Sequence, residues 1–248
     1  MTCVFCKSSP TTNEHIFPKW LRDVIPGEGR LLHEWRAPNE EDPSRAWSAD
    51  GVEFKANAVC GTCNAGWMND LEEAGRPYLT SMIQGRGRVL HEAEKETVTR
   101  WAFKTALMLD LGQEAKFRSI PVDDYVAFYE AEGLLPDTHV WLAGCDFGGG
   151  AGARTRTLDF NENGTTITGY GTTIQLGHLV IEIVRVGLGG RSFQIGGGLA
   201  PALVRVWPEP SPTQWPPPLV LDRQNAVWLP LLRGCPDRRG IAAAILAV

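Results

Sequence analysis

The hydrophobic and polar positions of this 248-residue chain change rhythm twice. Residues 1–57 hold short apolar pieces with no sustained period. A cysteine-bearing turn leads into an extended segment that Pro18 limits, and Trp20 to Ile25 reads as a helical turn stopped by Pro26 and Gly27. Leu31–Arg36 and Gly51–Ala56 are each predicted as a strand, separated by the acidic loop Asn39–Pro43. After Cys63 the spacing becomes helical. Trp67, Leu71 and Ala74 fall on one stripe, and Asn64, Met68 and Glu72 on another. Gly75-Arg76-Pro77 predicts a kink or an end, with a new helix from Pro77 to Ile83. Residues 92–111 carry the clearest helical pattern, with Val98, Trp101, Thr105, Met108 and Leu109 on one apolar face. A shorter helix is expected over 121–129, with Pro121 in its first turn.

From about residue 138 the pattern turns to short β-branched and aromatic runs. These are His139–Ala143, Arg154–Phe160, Thr165–Tyr170, His178–Val186, Ser192–Ile195, Leu203–Trp207 and Val227–Leu231, separated by Gly, Pro and Asn. The proline-rich pieces around 208–212 and 215–218 read as extended connectors. The fold class expected is α+β: an N-terminal module over 1–90, a helical connector over 91–135, and an antiparallel β-rich region over 136–248.

Composition narrows the classes. The chain is 43% hydrophobic, enough for a buried core, and no stretch of 18 uncharged apolar residues exists to span a bilayer. The polar N-terminus reads as no signal peptide, so a cytoplasmic protein is expected. The net charge of −5 lies entirely in residues 1–75, where seven bases face twelve acids. That distribution argues against tight non-specific binding to DNA, which needs a basic face.

Four of the six cysteines form two C-x-x-C pairs, Cys3/Cys6 and Cys60/Cys63. A C-x-x-C turn presents two soft thiolates at once, and two such turns complete a tetrahedral four-cysteine zinc site. Such a site has no open position, so the zinc is structural and contributes folding energy on the order of 10 kcal/mol. Cys145 and Cys235 stand alone and read as plain thiols. Between the pairs lies Thr12-Asn13-Glu14-His15-Ile16-Phe17-Pro18, and Asn64 follows the last cysteine directly. Glu14, His15 and Asn64 are the candidate chemical groups. Asn64 also suits a helix N-cap. His33, His91, His139 and His178 read as structural, and Arg86 and Arg88 as a solvated turn.

Bracketed by its two zinc half-sites, the Glu14-His15 segment resembles the HNH (ββα-metal) endonucleases, over residues 1 to about 75. It is most similar to the branch with a four-cysteine zinc and an asparagine after the last cysteine, the endonuclease VII-like proteins, and to bacterial HNH-like proteins. The resemblance implies a zinc-stapled ββα-metal module acting as a DNA endonuclease, with RNA as an alternative substrate. It implies His15 as the base that activates water, and Glu14 and Asn64 as ligands of a catalytic Mg²⁺ or Mn²⁺. Hard oxygen donors suit those ions. Asn57 matches the family's middle asparagine. Two departures stand out: Glu14 takes the place of the commoner aspartate, and Met68, whose thioether does not hold Mg²⁺, occupies a position where many relatives carry a histidine. Glu72 and Asn69 are the remaining oxygen donors nearby. The competing expectation is a non-catalytic zinc-ribbon module that binds a protein or nucleic-acid partner.

Overall fold

The computed structural model describes residues 2–25, 31–35, 45–49, 54–131, 133–146, 150–162, 165–187, 189, 193–195, 200–222 and 245–247. Within them α-helices and antiparallel sheets combine, as the α+β reading expected, and the four-cysteine cluster lies near the N-terminus.

Strand β1 (Thr11–His15) follows the first cysteine turn, and a 3-10 turn over Lys19–Asp23 buries Trp20 and Leu21. Strands β2 (Leu31–Trp35) and β3 (Arg45–Ala49) form an antiparallel hairpin. The strand expected over Gly51–Ala56 is met in part, with Lys55 and Ala56 in a strand. Its 51–53 portion lies outside the described residues, and the strand nearest the cysteines is β4 (Lys55–Cys60), which pairs with β1 rather than with β2. Burial explains this choice, because β4 puts Ala56, Val59 and Cys60 into the interior.

Helix begins without a loop after β4, in a short turn α1 (Gly61–Cys63), a π-helical turn (Asn64–Met68) and α2 (Asn69–Ile83). The Asn69 N–H reaches back to the Asn64 carbonyl across the widened turn, where Gly66 leaves helical geometry at φ −94°, ψ −117°. The break expected at Pro77 does not occur. Helix α2 runs through it, giving up one backbone bond, while Gly75, Leu79, Met82 and Ile83 keep their face buried. A side chain at Gly75 would meet Leu79 and Trp101, so the glycine sets how closely the next helix approaches.

That next helix, α3 (Glu92–Leu111), follows the short strand β5 (Arg88–Leu90). It is buried nearly all round rather than on one stripe, taking Lys95, Lys104 and Asp110 inside with Trp101, Phe103 and Met108. Helix α4 (Val122–Ala131) then lies over it, with Phe103 and Phe128 rings 5.0 Å apart. Asp110 ties the connection by accepting from Ser119 N–H, Ile120 N–H and Tyr125 O–H.

The C-terminal region follows the two-residue rhythm. Strands β6 (Thr138–Gly144), β7 (Ala151–Glu162), β8 (Thr165–Leu176), β9 (Leu179–Val186), β10 (Phe193–Ile195) and β11 (Val204–Trp207) cover six of the seven expected runs. The seventh, Val227–Leu231, lies outside the described residues. The main sheet has the order β11-β6-β9-β8-β7, all antiparallel. Two further strands were not foreseen: β12 (Thr213–Trp215), which sits between the proline-rich pieces and pairs with β5, and β13 (Ile245–Ala247), which pairs with β10.

One continuous apolar cluster runs from Cys3 and Phe5 through Ile16, Trp101 and Phe128 to Ile174, Ile183 and Trp215. The cysteine turns are thus packed against the same interior as the sheet, where each fully buried large apolar side chain contributes about 1.5–3 kcal/mol. Among the described residues no helix is long and apolar enough to cross a membrane.

Candidate metal centre

Each C-x-x-C turn is built by its backbone. In the first, Lys7 N–H donates to the Cys3 carbonyl at 3.0 Å and Cys3 N–H to the Ser8 carbonyl at 2.7 Å. Lys7 adopts the left-handed region at φ 61° to close that turn. Val4 N–H donates to the Ala58 carbonyl at 2.9 Å, fastening the turn to β4. In the second, Cys60 ends β4 and caps the helix, its Sγ accepting from Cys63 N–H at 3.5 Å.

The four Sγ atoms lie within 4.8 Å of one another, with Cys6 and Cys60 at 3.5 Å. Tetrahedral zinc with Zn–S bonds of about 2.3 Å requires S···S separations of about 3.8 Å. The cluster therefore can hold one metal ion, and its softness and spacing suit zinc. Among the described residues it is the one group of three or more Cys, His, Asp or Glu side chains close enough to share an ion.

The electrostatics point the same way. Hydrogen bonds from Ser8 bring the Cys6 thiol down to about 6. At Cys60 the Cys63 N–H pulls down, but burial and the thiols of Cys6 and Cys3 outweigh it and the net shift is upward. Burial pushes Cys63 up, with Cys6, Cys3 and Cys60 adding to it. Four thiols this close resist becoming four thiolates until a cation takes up the charge.

Aromatic rings brace the cluster. Phe5, between the first two cysteines, meets the edge of Trp67 at 5.2 Å and lies 6.1 Å from Tyr125, while Trp67 meets Phe128 at 5.9 Å. Helix α4 thereby holds the first cysteine turn against the π-helical turn that follows the second. The helical stripe pointed to Trp67, but nothing in the sequence singled out Phe5.

Glu14 and Asn64 meet beside this cluster. Asn64 Nδ2 donates to Glu14 Oε2 at 2.5 Å, joining residues fifty positions apart. Asn64 is not the N-cap, since Cys60 holds that position; it sits inside the π-helical turn, which leaves its side chain for Glu14. Thr12 Oγ1 donates to the other carboxylate oxygen, Oε1, so both oxygens of Glu14 are held. His15 closes β1, half-buried, directly opposite Lys55 on β4. A register shift between Thr12 and Glu14 gives β4 one extra residue there, a bulge of the kind that re-aims side chains. Ile16 N–H continues the pairing to the Phe54 carbonyl at 2.8 Å, and its side chain lies where a Cβ on Gly112 would fall, locking the end of β1 against the end of α3.

The other candidates separate clearly. Met68 is 1% exposed and belongs to the core. Glu72 is engaged with Lys104, Nζ to Oε1 at 2.6 Å, and Asn69 faces solvent. Asn57 Oδ1 accepts from Thr11 Oγ1 at 2.8 Å across the β1–β4 pair. Arg86 is exposed, as a solvated turn requires, but Arg88 is not: it pairs with Glu94 at 3.3 Å and lies over the Tyr78 ring at 4.6 Å. His91 caps α3, His178 Nδ1 contacts the Cys145 carbonyl at 2.7 Å, and burial lowers His139 to about 4. Cys145 is a buried core thiol, whereas the His33 side chain and Cys235 lie outside the described residues. Sequence reasoning overlooked Thr12 and Lys104. A Thr two residues before a Glu on a strand is the one signal that would have found the first, because strand alternation puts both on one face. Neither the family models, nor the curated proteins, nor the solved structures compared with the chain give a match.

Proposed function

We propose that the chain is a metal-dependent endonuclease of HNH type, hydrolysing DNA phosphodiester bonds at a ββα-metal site formed by β1, β4 and the helix after Cys63. The observation that carries this reading is the meeting of Glu14 and Asn64, 2.5 Å apart, beside the four-cysteine cluster. The cluster acts as a structural zinc site that fixes the start of the helix relative to β1.

The donor set fits a hard divalent cation. Adjacent ligands of an octahedral Mg²⁺ at about 2.1 Å stand about 3 Å apart, close to the spacing of the two side chains. A half-turn about χ2 of Asn64 presents its amide oxygen in place of the nitrogen. Glu14 and Asn64 would hold Mg²⁺ or Mn²⁺, which would supply charge stabilisation to the phosphate and the leaving oxygen. The resemblance assigns His15, the residue after Glu14, the role of taking the proton from the attacking water. The water oxygen bonds to phosphorus as the bond to the leaving oxygen breaks.

The test uses the full zinc-loaded chain with Mg²⁺ or Mn²⁺ on duplex, single-stranded and branched DNA and on RNA. Cleavage that disappears in His15→Ala, with zinc content and thermal stability retained, is the expected result. Equal inertness of wild type and His15→Ala on every substrate removes the enzyme reading. It would leave the non-catalytic zinc module that binds a partner, which the buried Met68 and the acid excess of residues 1–75 favour.

A further inference from the structure

Glu14 reaches further than an aspartate and carries one more rotatable bond, so a carboxylate at this position needs something to aim it. We propose that Thr12 is a positioning residue that aims the Glu14 carboxylate at a divalent cation shared with Asn64. This rests on the metal-dependent reading above.

Thr12 and Glu14 are two apart on β1, and the strand period places them on one face. Thr12 Oγ1 donates to Glu14 Oε1 and also lies 3.0 Å from the carbonyl of Val59, its cross-strand partner on β4. The hydroxyl thus sits between the carboxylate and the strand that carries Cys60, its one proton going to the carboxylate. Its methyl lies 3.9 Å from the position of a Cβ on Gly61, at the start of the helix. A β-branched side chain is stiff at χ1, so a threonine set between strand and helix start holds its hydroxyl in one place. With Oε1 held by Thr12, Oε2 is the oxygen turned to Asn64, whose side-chain amide meets it directly. Removing a hydrogen-bond partner of a metal-binding carboxylate costs about 10-fold to 100-fold in metal affinity.

The experiment titrates Mn²⁺ into the zinc-loaded full chain, reading free Mn²⁺ by electron paramagnetic resonance, with zinc content and Tm measured alongside. Thr12→Val keeps the shape and deletes the hydroxyl, and is expected to weaken Mn²⁺ binding by about 10-fold or more. Thr12→Ser restores the hydroxyl and is expected to restore binding. In a Glu14→Asp background, where the shorter carboxylate no longer spans to Thr12, Thr12→Val should change affinity little. Should Thr12→Val lose zinc, Thr12→Ala is read in its place. Wild-type affinity in the hydroxyl-free variant overturns the proposal, and so does equal weakening in the valine and serine variants, which would signify a packing role. Absence of Mn²⁺ binding in the wild type overturns it together with the metal-dependent reading, so the two failures are told apart by the wild-type titration.

Discussion

Glu72→Gln tests whether the second glutamate near the site is a structural counter-charge or a ligand. Lys104 is completely buried on α3, and its ammonium rests 2.6 Å from Glu72 Oε1, whose side chain is 19% exposed. Burial lowers the Lys104 pKa, while the Glu72 charge and hydrogen bond oppose that shift. The Trp101 ring, 5.7 Å away, offers a further, weaker contact. Removing the carboxylate charge deprives the buried ammonium of its counter-ion on α2, and breaking a buried pair from one side costs about 3–5 kcal/mol. For a chain of this size that corresponds to a fall in Tm of roughly 6–20 °C.

The reverse change is asymmetric. Lys104→Met keeps the apolar stem and deletes the charge, and the partly exposed Glu72 can then turn to water. Its cost should be well below that of Glu72→Gln, and the double variant should recover most of the loss. Thermal and urea unfolding of the zinc-loaded protein measures all three. Two results would refute the reasoning: costs that are equal and additive, or a stable Glu72→Gln protein that has lost Mn²⁺ binding. The second would make Glu72 a ligand.

Zinc removal should be drastic, because the four-cysteine cluster joins the N-terminal turn, the end of β4 and the first helical turn. Chelation is expected to cost stability on the order of 10 kcal/mol and to change the fluorescence of Trp67, which packs 5.2 Å from Phe5; an unchanged Tm after confirmed metal loss contradicts this. Burial of Glu182 raises its carboxyl from 4.5 to about 8, with the Thr173 hydrogen bond and Arg156 pulling the other way. The folded state keeps this proton where the unfolded chain has lost it, so stability should fall as pH rises between those two values, by up to about 1.4 kcal/mol per pH unit. Glu182→Gln should flatten that slope in a Tm-against-pH series, and an unaltered slope would refute the assignment.

How much of this was legible depended on whether a signal was local. The C-x-x-C spacing is a local signal that favours paired metal ligands over free or redox thiols, and the four thiols do converge. The strands of the main sheet were legible because β-branched runs between Gly and Pro have few alternatives, although the two-residue period understated burial: β6 is buried on both faces. What the local signals left open was pairing and continuation. Leu31–Arg36 and Gly51–Ala56 were read as strands with no partner named; Leu31–Trp35 pairs with the nearer Arg45–Ala49, and Lys55–Cys60 pairs with β1. Pro77 read as a kink or an end, and the helix runs on through it, where packing of Leu79, Met82 and Ile83 outweighs one missing backbone bond.

The candidate site shows the same division. Glu14, His15 and Asn64 could be named from their neighbours in sequence, but the contact between Glu14 and Asn64 is a property of the β1–β4 pairing and of a π-helical turn that no periodicity announces. An N-cap at Asn64 would have spent its side chain on backbone N–H groups. Because Cys60 caps the helix instead, four residues earlier, the same sulfur that belongs to the four-cysteine cluster leaves the amide to meet the carboxylate. With a cysteine of the four-thiol cluster at the N-cap, the residue after Cys63 is left to face β1. A cysteine-to-serine change at residue 60 would keep the cap but lose the cluster, which separates the two roles of that position.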